Sequence, residues 1–403
     1  MNLITTILQK MSSISTPQRK FLTTLLTTIQ LLRGKMTFRN LSRYSDLHEK
    51  TYSRQFQKRF DFTLYKHHAL TTLLSAHTTK IAAIDCTVTS KSGKRTYGLD
   101  LFYDASYNGP KRCLEFSELA VVDVDYRTAY HLSMEQTPPS STITSIFGPE
   151  GSRIDWYLLH LKQERSLLPP EIRHIAADGY YAKQKFADGV CDECGLHLIS
   201  KFRHDANLRY LYTGLHPKRR GARKKYDGKV NLQALSRLTP IPLSETVTLY
   251  TAIVNSVSLK RNIRLVYICK RQGTKLLTAL LFSTDTELAA EAIYRYYTAR
   301  FQIEFLFRDA KQFTGLADFQ VRSGFKIAFH VNASMTALNF LKLEDRLTSQ
   351  DDTEHVISIN SWKIRNFNEY QVNRIISTLG FDLSAVKLHP HYEDLIHHGT
   401  IAA

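Results

Sequence analysis

Tyr297, Arg300, Glu304 and Lys311 follow one another at spacings of three, four and seven residues in a stretch without proline. At about 100° per residue they fall within an arc of roughly 60° on one helix face, with Arg308 beside them. One carboxylate among a tyrosine hydroxyl and three cations suits a site for phosphate and a metal ion. The plain alternative is a salt-bridged solvent face, the usual meaning of a charged helix stripe. Against it stand the stripe's aromatic content and its lopsided charge. Glu304 needs partners elsewhere, and two aspartates offer themselves. Asp85 lies inside the apolar run 80–88, where a carboxylate costs free energy unless it is paired or bound to a cation. Asp178 ends the run His174-Ile-Ala-Ala177 and precedes Gly179. Taken alone each aspartate reads as a cap or turn residue, and Asp-Gly is a turn dipeptide anywhere.

The elements that must position these groups follow from pattern and punctuation. Residues 284–315 read as one helix, opened by Thr284 three residues before Glu287 and closed by Gly315. Residues 1–78 read as all-helical, with a helix from Thr16-Pro17 to Gly34 and two short helices at 37–45 and 48–60. That pair is helix-turn-helix-like, and its second helix presents Lys50, Thr51, Arg54, Gln55 and Lys58 for phosphates or base edges. A plain helical bundle explains it equally well. Strands are expected at 80–88, 114–124 and 128–135, the last two as a hairpin, with a loop from Thr137. A helix over 152–168, a strand at 174–177, a helix over 181–193 and a strand at 196–202 come next.

Three strands followed by alternating helices and strands describe an α/β, RNase H-like core, a mixed sheet flanked by helices. In it the strands carrying Asp85 and Asp178 lie side by side, and a late helix brings Glu304. A β-rich insertion over 205–283 opens with the basic loop 218–226 and has strands near 246–254, 263–270 and 275–282, read as a small sheet packed against the core. The chain thus divides into a helical N-terminal domain (1–78), a first core part (79–204), the insertion (205–283), a second core part with the site-bearing helix (284–345) and a C-terminal helical region (346–403). The later segment has a helix over 326–343, whose His330 reads as packed, and another near 369–379. No chemistry is read into the histidines of the tail.

The net charge of +17 on 403 residues, with a pI near 9.5, favours a polyanionic partner, most simply nucleic acid. Hydrophobic (43%) and charged (23%) content is that of a globular chain. No apolar run approaches the roughly 18 residues of a spanning helix, and the start lacks a signal peptide's pattern, so a soluble intracellular protein is expected. Five scattered cysteines argue against a disulfide framework. Cys191 and Cys194 have zinc-type spacing, with His197 and His204 downstream, but lack a matched second pair of ligands, and a structural role is preferred.

With these residues in hand, the chain resembles the DDE transposases of bacterial insertion sequences, and within them the subgroup with a Y-x2-R-x3-E-x6-K signature. Tyr297, Arg300, Glu304 and Lys311 meet every spacing of it, and Gln320-Val-Arg-Ser323 follows as in the type. Asp85-Cys-Thr87 and Asp178-Gly-Tyr-Tyr181 look like the first and second catalytic aspartates, and the β-rich insertion is a further family feature. The likeness covers roughly residues 80–343. It implies that Asp85, Asp178 and Glu304 hold two Mg²⁺ ions, which Mn²⁺ can replace, for cleavage at terminal inverted repeats and transfer of the freed 3′-OH into target DNA. It implies phosphate contacts from Tyr297, Arg300, Lys311 and Arg308, double-stranded DNA as partner, a homodimer or larger assembly on DNA, and a cytoplasmic, nucleoid-associated location. Two other readings stay open: an RNase H-like nuclease that joins nothing, and a catalytically silent DNA-binding regulator derived from a transposase.

Overall fold

The computed structural model describes residues 3–91, 93, 95–104, 106–215, 222–348 and 357–401. Five helices come first: α1 (Leu3–Leu8), α2 (Thr16–Leu31), α3 (Phe38–Leu41), α4 (Glu49–Gln55) and α5 (Phe62–Leu73). Ser15, Thr37, His48 and Asp61 each accept a backbone N–H at the start of α2 to α5, satisfying donors that a helix start leaves free. The pair α3 and α4 is shorter than the helices expected at 37–45 and 48–60.

β1 (Lys80–Ser90), β2 (Asp100–Asp104), β3 (Gly109–Asp123) and β4 (Thr128–Gln136) follow, then α6 (Ser140–Phe147), α7 (Arg153–Glu164), β5 (His174–Ala177), α8 (Gln184–Asp188) and β6 (His197–Phe202). β2 and α6 stand where only connections were expected. The helix expected over 181–193 is broken into a 3-10 turn, the short α8 and a π-turn. β3 pairs antiparallel with β1 and β4, while β1 and β5, and β5 and β6, run parallel. The order β4-β3-β1-β5-β6 is the RNase H-like arrangement. β2 pairs with the outer edge of β3 next to the part that β4 covers.

The insertion is not a separate sheet, as its pattern led one to expect. Its strands β7 (Leu208–Leu211), β8 (Tyr226–Lys229), β9 (Thr239–Pro242), β10 (Val247–Ser256), β11 (Arg261–Gln272) and β12 (Lys275–Ser283) extend the core sheet, because β12 pairs antiparallel with β6. An uncovered β6 would expose a row of backbone donors and acceptors, and the pairing also stacks Phe202 on Phe282, ring centroids 4.1 Å apart. Among the described residues the sheet has twelve strands. The basic loop expected at 218–226 lies outside the described residues as far as 221.

The site-bearing stretch is not one helix. It forms α9 (Ala290–Ala299) and α10 (Gln302–Asp309), then a π-turn over 310–314 closed by Gly315 at φ 77°. Thr284 does not cap it, because its hydroxyl accepts the Leu198 N–H beside β6. Between α9 and α10 the chain tightens: Ile303 N–H bonds to Arg300 O and Glu304 N–H to Phe301 O, the three-residue spacing of a 3-10 turn. α11 (Gly324–Thr348), α12 (Ile359–Leu379), α13 (Leu383–Lys387) and α14 (Tyr392–Ile396) complete the order. α12 begins ten residues before the helix expected there.

Strand alternation gives the sheet two apolar faces. On one, Ala82, Ile84 and Leu119 join a continuous core with Leu22 and Leu25 of α2, Tyr65 of α5 and Leu158 of α7. On the other, Ile81, Ala83 and Phe116 pack with Ile303 and Leu306 of α10 and Val331 of α11. The N-terminal helices therefore share their core with the sheet that carries the two aspartates.

Candidate active site

The parallel pairing of β1 and β5 runs in register from Ala82 opposite Ile175 to Ile84 opposite Ala177. The next residue of each strand is an aspartate, so Asp85, in the middle of β1, and Asp178, just past the end of β5, lie side by side where the pairing of the two strands stops. Both are half-buried. Asp85 accepts the Cys86 N–H at 2.8 Å on one carboxylate oxygen. Asp178 accepts the Tyr180 N–H at 2.9 Å, and its own carbonyl accepts Ser200 Oγ–H of β6 at 2.7 Å. These local bonds fix both carboxylates on the sheet. Packing of Ile303, Leu306 and Phe307 against the sheet turns Glu304, also half-buried, toward them.

Arg300 organises the three. Its Nη1 donates to Asp85 Oδ2 at 2.9 Å and its Nη2 to Glu304 Oε1 at 3.4 Å, while Nε is buried and has no partner. The turn between α9 and α10 makes this reach possible, since it sets Arg300 at the corner. Only 6% of the Arg300 side chain is exposed, against 20% for Asp85 and 43% for Glu304. Burial pushes the Asp85 carboxyl up to about 6; Arg300 opposes the rise, and Asp178 and Glu304 add to it. Burial acts against the charge on Arg300, yet Asp85, Tyr297, Glu304 and Asp178 together hold its pKa above the ordinary value. Burial likewise raises the Tyr297 hydroxyl, whose ring centre lies 5.4 Å from the guanidinium carbon. Five of the seven residues singled out in the sequence thus sense one another's charge.

The other two stand apart. Arg308 is exposed, bonds to Asp309 through Nε and Nη2 at 3.0 Å, and lies over the Phe305 ring. Lys311 sits on the π-turn and acts on Asp104 at the end of β2. Breaks on either side of α10 separate groups that a straight helix would align. His330 is packed: it is 2% exposed and its Nε2–H donates to Gly315 O at 2.8 Å, so it ties α11 to the end of the site-bearing segment. Sequence reasoning passed over Lys91, whose Nζ donates to Ala317 O and Phe319 O and fixes the chain that leaves the site. It also passed over Phe301 and Phe305, exposed on either side of Glu304; their place on an otherwise polar face was the available signal.

Among the described residues no three His, Cys, Asp or Glu side chains stand close enough together to hold an ion. The donor chemistry nevertheless suits a hard divalent cation, which takes oxygen ligands from carboxylates. Asp85 and Asp178 lie on adjacent central strands with Glu304 of α10 above them, and a buried guanidinium with an unused N–H supplies the positive charge between Asp85 and Glu304. No helix among the described residues is long and apolar enough to cross a membrane.

Comparison with known proteins agrees with this geometry. No curated protein matches the chain. Residues 156–340 match the family described as the transposase DDE domain, a span that holds Asp178, the insertion, Glu304 and most of α11, while β1 with Asp85 precedes it. A domain of that family acts in phosphoryl transfer on DNA, in keeping with the basic charge of the chain and with Asp85 and Asp178 on adjacent strands. Residues 156–340 are thus similar to a transposase DDE domain, and they are built on a sheet with the RNase H-like strand order.

Proposed function

We propose that Asp85, Asp178 and Glu304 are the catalytic triad of a transposase that cuts at the terminal inverted repeats of an insertion sequence. The observation that carries this is the register of β1 and β5, whose pairing stops just before an aspartate on each strand, with Arg300 linking the first of them to Glu304. In the reaction an oxygen of water attacks phosphorus in line as the 3′ oxygen leaves, freeing a 3′-OH. That 3′-OH then attacks a target phosphodiester in the same way. The three carboxylates would hold two divalent ions, Mg²⁺ or Mn²⁺ in its place, which when bound activate the attacking oxygen and neutralise the leaving one.

The protein's own contribution is position and charge. Cys86 N–H and Arg300 hold the Asp85 carboxylate, and Tyr180 N–H holds that of Asp178. Arg300 moves from the carboxylates to a non-bridging phosphate oxygen, for which its buried, unpartnered Nε–H is a ready donor. The Tyr297 hydroxyl bonds a second oxygen. Lys311 and Arg308, farther along, contact the backbone on either side, completing the Y-x2-R-x3-E-x6-K set. The helices α3 and α4, with Lys50 and Arg54 exposed, hold the DNA ends, and the active form is a homodimer or larger assembly on DNA.

Cleavage of labelled DNA carrying the element's own ends tests this, with Mg²⁺, Mn²⁺ or EDTA, for wild type and Glu304→Gln. Metal-dependent nicking at the repeat boundary should fall roughly a thousandfold in the variant, with DNA binding kept. Equal cutting by both proteins would remove Glu304 from the triad.

A further inference from the structure

The hairpin of β2 and β3 is used by none of the chemistry above, and its composition is unusual. Tyr97, Leu101 and Tyr103, with Phe325 nearby at the start of α11, are 57–65% exposed. Exposed apolar side chains scattered singly are ordinary, but a contiguous set marks a contact surface. Exposed Arg112 and Arg322 lie among them.

The register places this set. Leu101 pairs with Arg112 and Tyr103 with Pro110, so by strand alternation Leu101, Tyr103 and Arg112 share one face. Along β3 that face continues through Leu114 and Phe116, which pack in the same core as Ile303 and Leu306 of α10. Along β1 it carries Ile81, Ala83 and then Asp85. The hairpin thus presents its aromatic and basic side chains on the face of the sheet that bears the triad. β1 ends at Ser90 opposite Cys113, and β3 reaches four residues farther. From Asp85 to Arg112 is therefore about six residues of strand, roughly 20 Å at 3.3 Å each. Duplex DNA covers that length in about six base pairs.

The surface is also built, not loosely hung. Tyr97 N–H donates to Arg322 O at 3.0 Å, and Gln136 Nε2–H donates to Tyr97 O at 2.8 Å. The Tyr97 ring lies against Gly324, where an added Cβ would meet it at 2.8 Å. The acids nearby are already engaged: Asp100 accepts from Ser140 N–H and Oγ–H, and Asp104 accepts from Ser106 and pairs with Lys111. What remains to meet a partner is cationic and aromatic.

We propose that this face, made of Tyr97, Leu101, Tyr103, Arg112, Arg322 and Phe325, is a DNA-binding surface. It holds the sugar-phosphate backbone of duplex DNA about half a helical turn from the scissile phosphate. Arg112 and Arg322 bind phosphates, and the tyrosine and phenylalanine rings pack on deoxyribose. The assignment rests on the transposase reading for its substrate, and charge complementarity selects DNA over an apolar protein partner.

Binding of labelled duplex by the full chain in EDTA tests it without any cleavage. One probe carries the element's end, and a second is a scrambled duplex of equal length, each followed by fluorescence anisotropy from 50 to 200 mM salt. Arg112→Ala with Arg322→Ala should lower the slope of log affinity against log salt by about 1.8, or 0.9 per lost phosphate contact, and Tyr103→Ala should weaken binding roughly fivefold with the slope unchanged. Equal losses on both probes assign the surface to any duplex, target DNA included, and losses confined to the first assign it to the element's end. Wild-type affinity and slope in all variants would overturn the proposal. So would wild-type binding with an altered sedimentation profile, which would make the face a contact between copies of the chain. Binding in EDTA needs no catalytic group, so failure of the triad assignment shows in cleavage and failure of this surface in binding.

Discussion

The Arg300 cluster and the Lys66 cluster each hold a buried cation, and they differ in what closes over them. Over the central strands Arg300 links Asp85 and Glu304, with an N–H to spare and three half-buried carboxylates around it. Inside the fold Lys66 of α5 reaches His131 of β4, which reaches Glu118 of β3, and all three are 0% exposed. Lysine only donates, so His131 accepts at Nε2 and carries its proton on Nδ1, donating to Glu118 at 2.8 Å. Asn332 accepts from Lys66, and Asn339 exchanges two hydrogen bonds with the His131 backbone. No polar atom of the inner triad is left unpaired. Charges that are satisfied and sealed specify a fold; charges that are crowded, partly open and incompletely bonded await a ligand. The inner set joins α5, two strands and α11, and so locks the N-terminal helices to the central sheet.

The contrast breaks most visibly at Lys66. Replacing it with Met removes one partner from a buried set and should cost about 3–4 kcal/mol of unfolding free energy. Cleavage per folded molecule should stay near wild type; a stable variant with lost cleavage would reverse the roles assigned to the two clusters. Chemical denaturation and active-site-normalised nicking read the two quantities.

Acid supplies the next test, at His330, another sealed group. Burial lowers its pKa to about 4, against about 6.5 in an unfolded chain. A depressed folded-state pKa means the unfolded chain binds the proton first as pH falls. The contribution is thus complete above about pH 6.5 and is lost as pH drops toward 4, for roughly 3 kcal/mol at the acid limit. His330→Asn, which keeps a donor for Gly315 O, should flatten the stability profile between pH 6.5 and 4. An unchanged slope would show that other groups carry it.

The smallest effect is expected where charge is kept and only shape changes. Arg300→Lys retains the cation but loses the fork that spans Asp85 and Glu304. Cleavage should fall roughly thirtyfold, about 2 kcal/mol, with the melting temperature little altered. A large loss of stability would place Arg300 with the structural charges of the core.

Much of the site could be read from residue order. Glu304, Arg300 and Tyr297 are close in sequence, and a helical period alone brings them to one side. The strand run that holds Asp85 and the one that leads into Asp178 are local as well, and only their parallel pairing had to be supplied by the order of elements. The straight helix expected over 284–315 failed for a non-local reason: Thr284 hydrogen-bonds to Leu198, and packing of α9 and α10 on different parts of the sheet bends the chain at Arg300. Arg308 turns instead to Asp309 and the Phe305 ring, and the π-turn after α10 carries Lys311 away. The insertion's strands were visible from their β-branched runs, whereas their merger with β6 depended on which sheet edge lay open.

Sequence by itself determined the charge of the chain, the alternation of strands and helices, and the candidate groups for chemistry, because these depend on composition and on neighbours within a turn or a strand. Only tertiary structure decided that Arg300 meets Asp85 from 215 positions away, that Lys66, His131 and Glu118 seal one another inside, and that the β2–β3 hairpin shares a face with Asp85. Those pairings arise from packing two faces of one sheet, and no local preference of the residues encodes them.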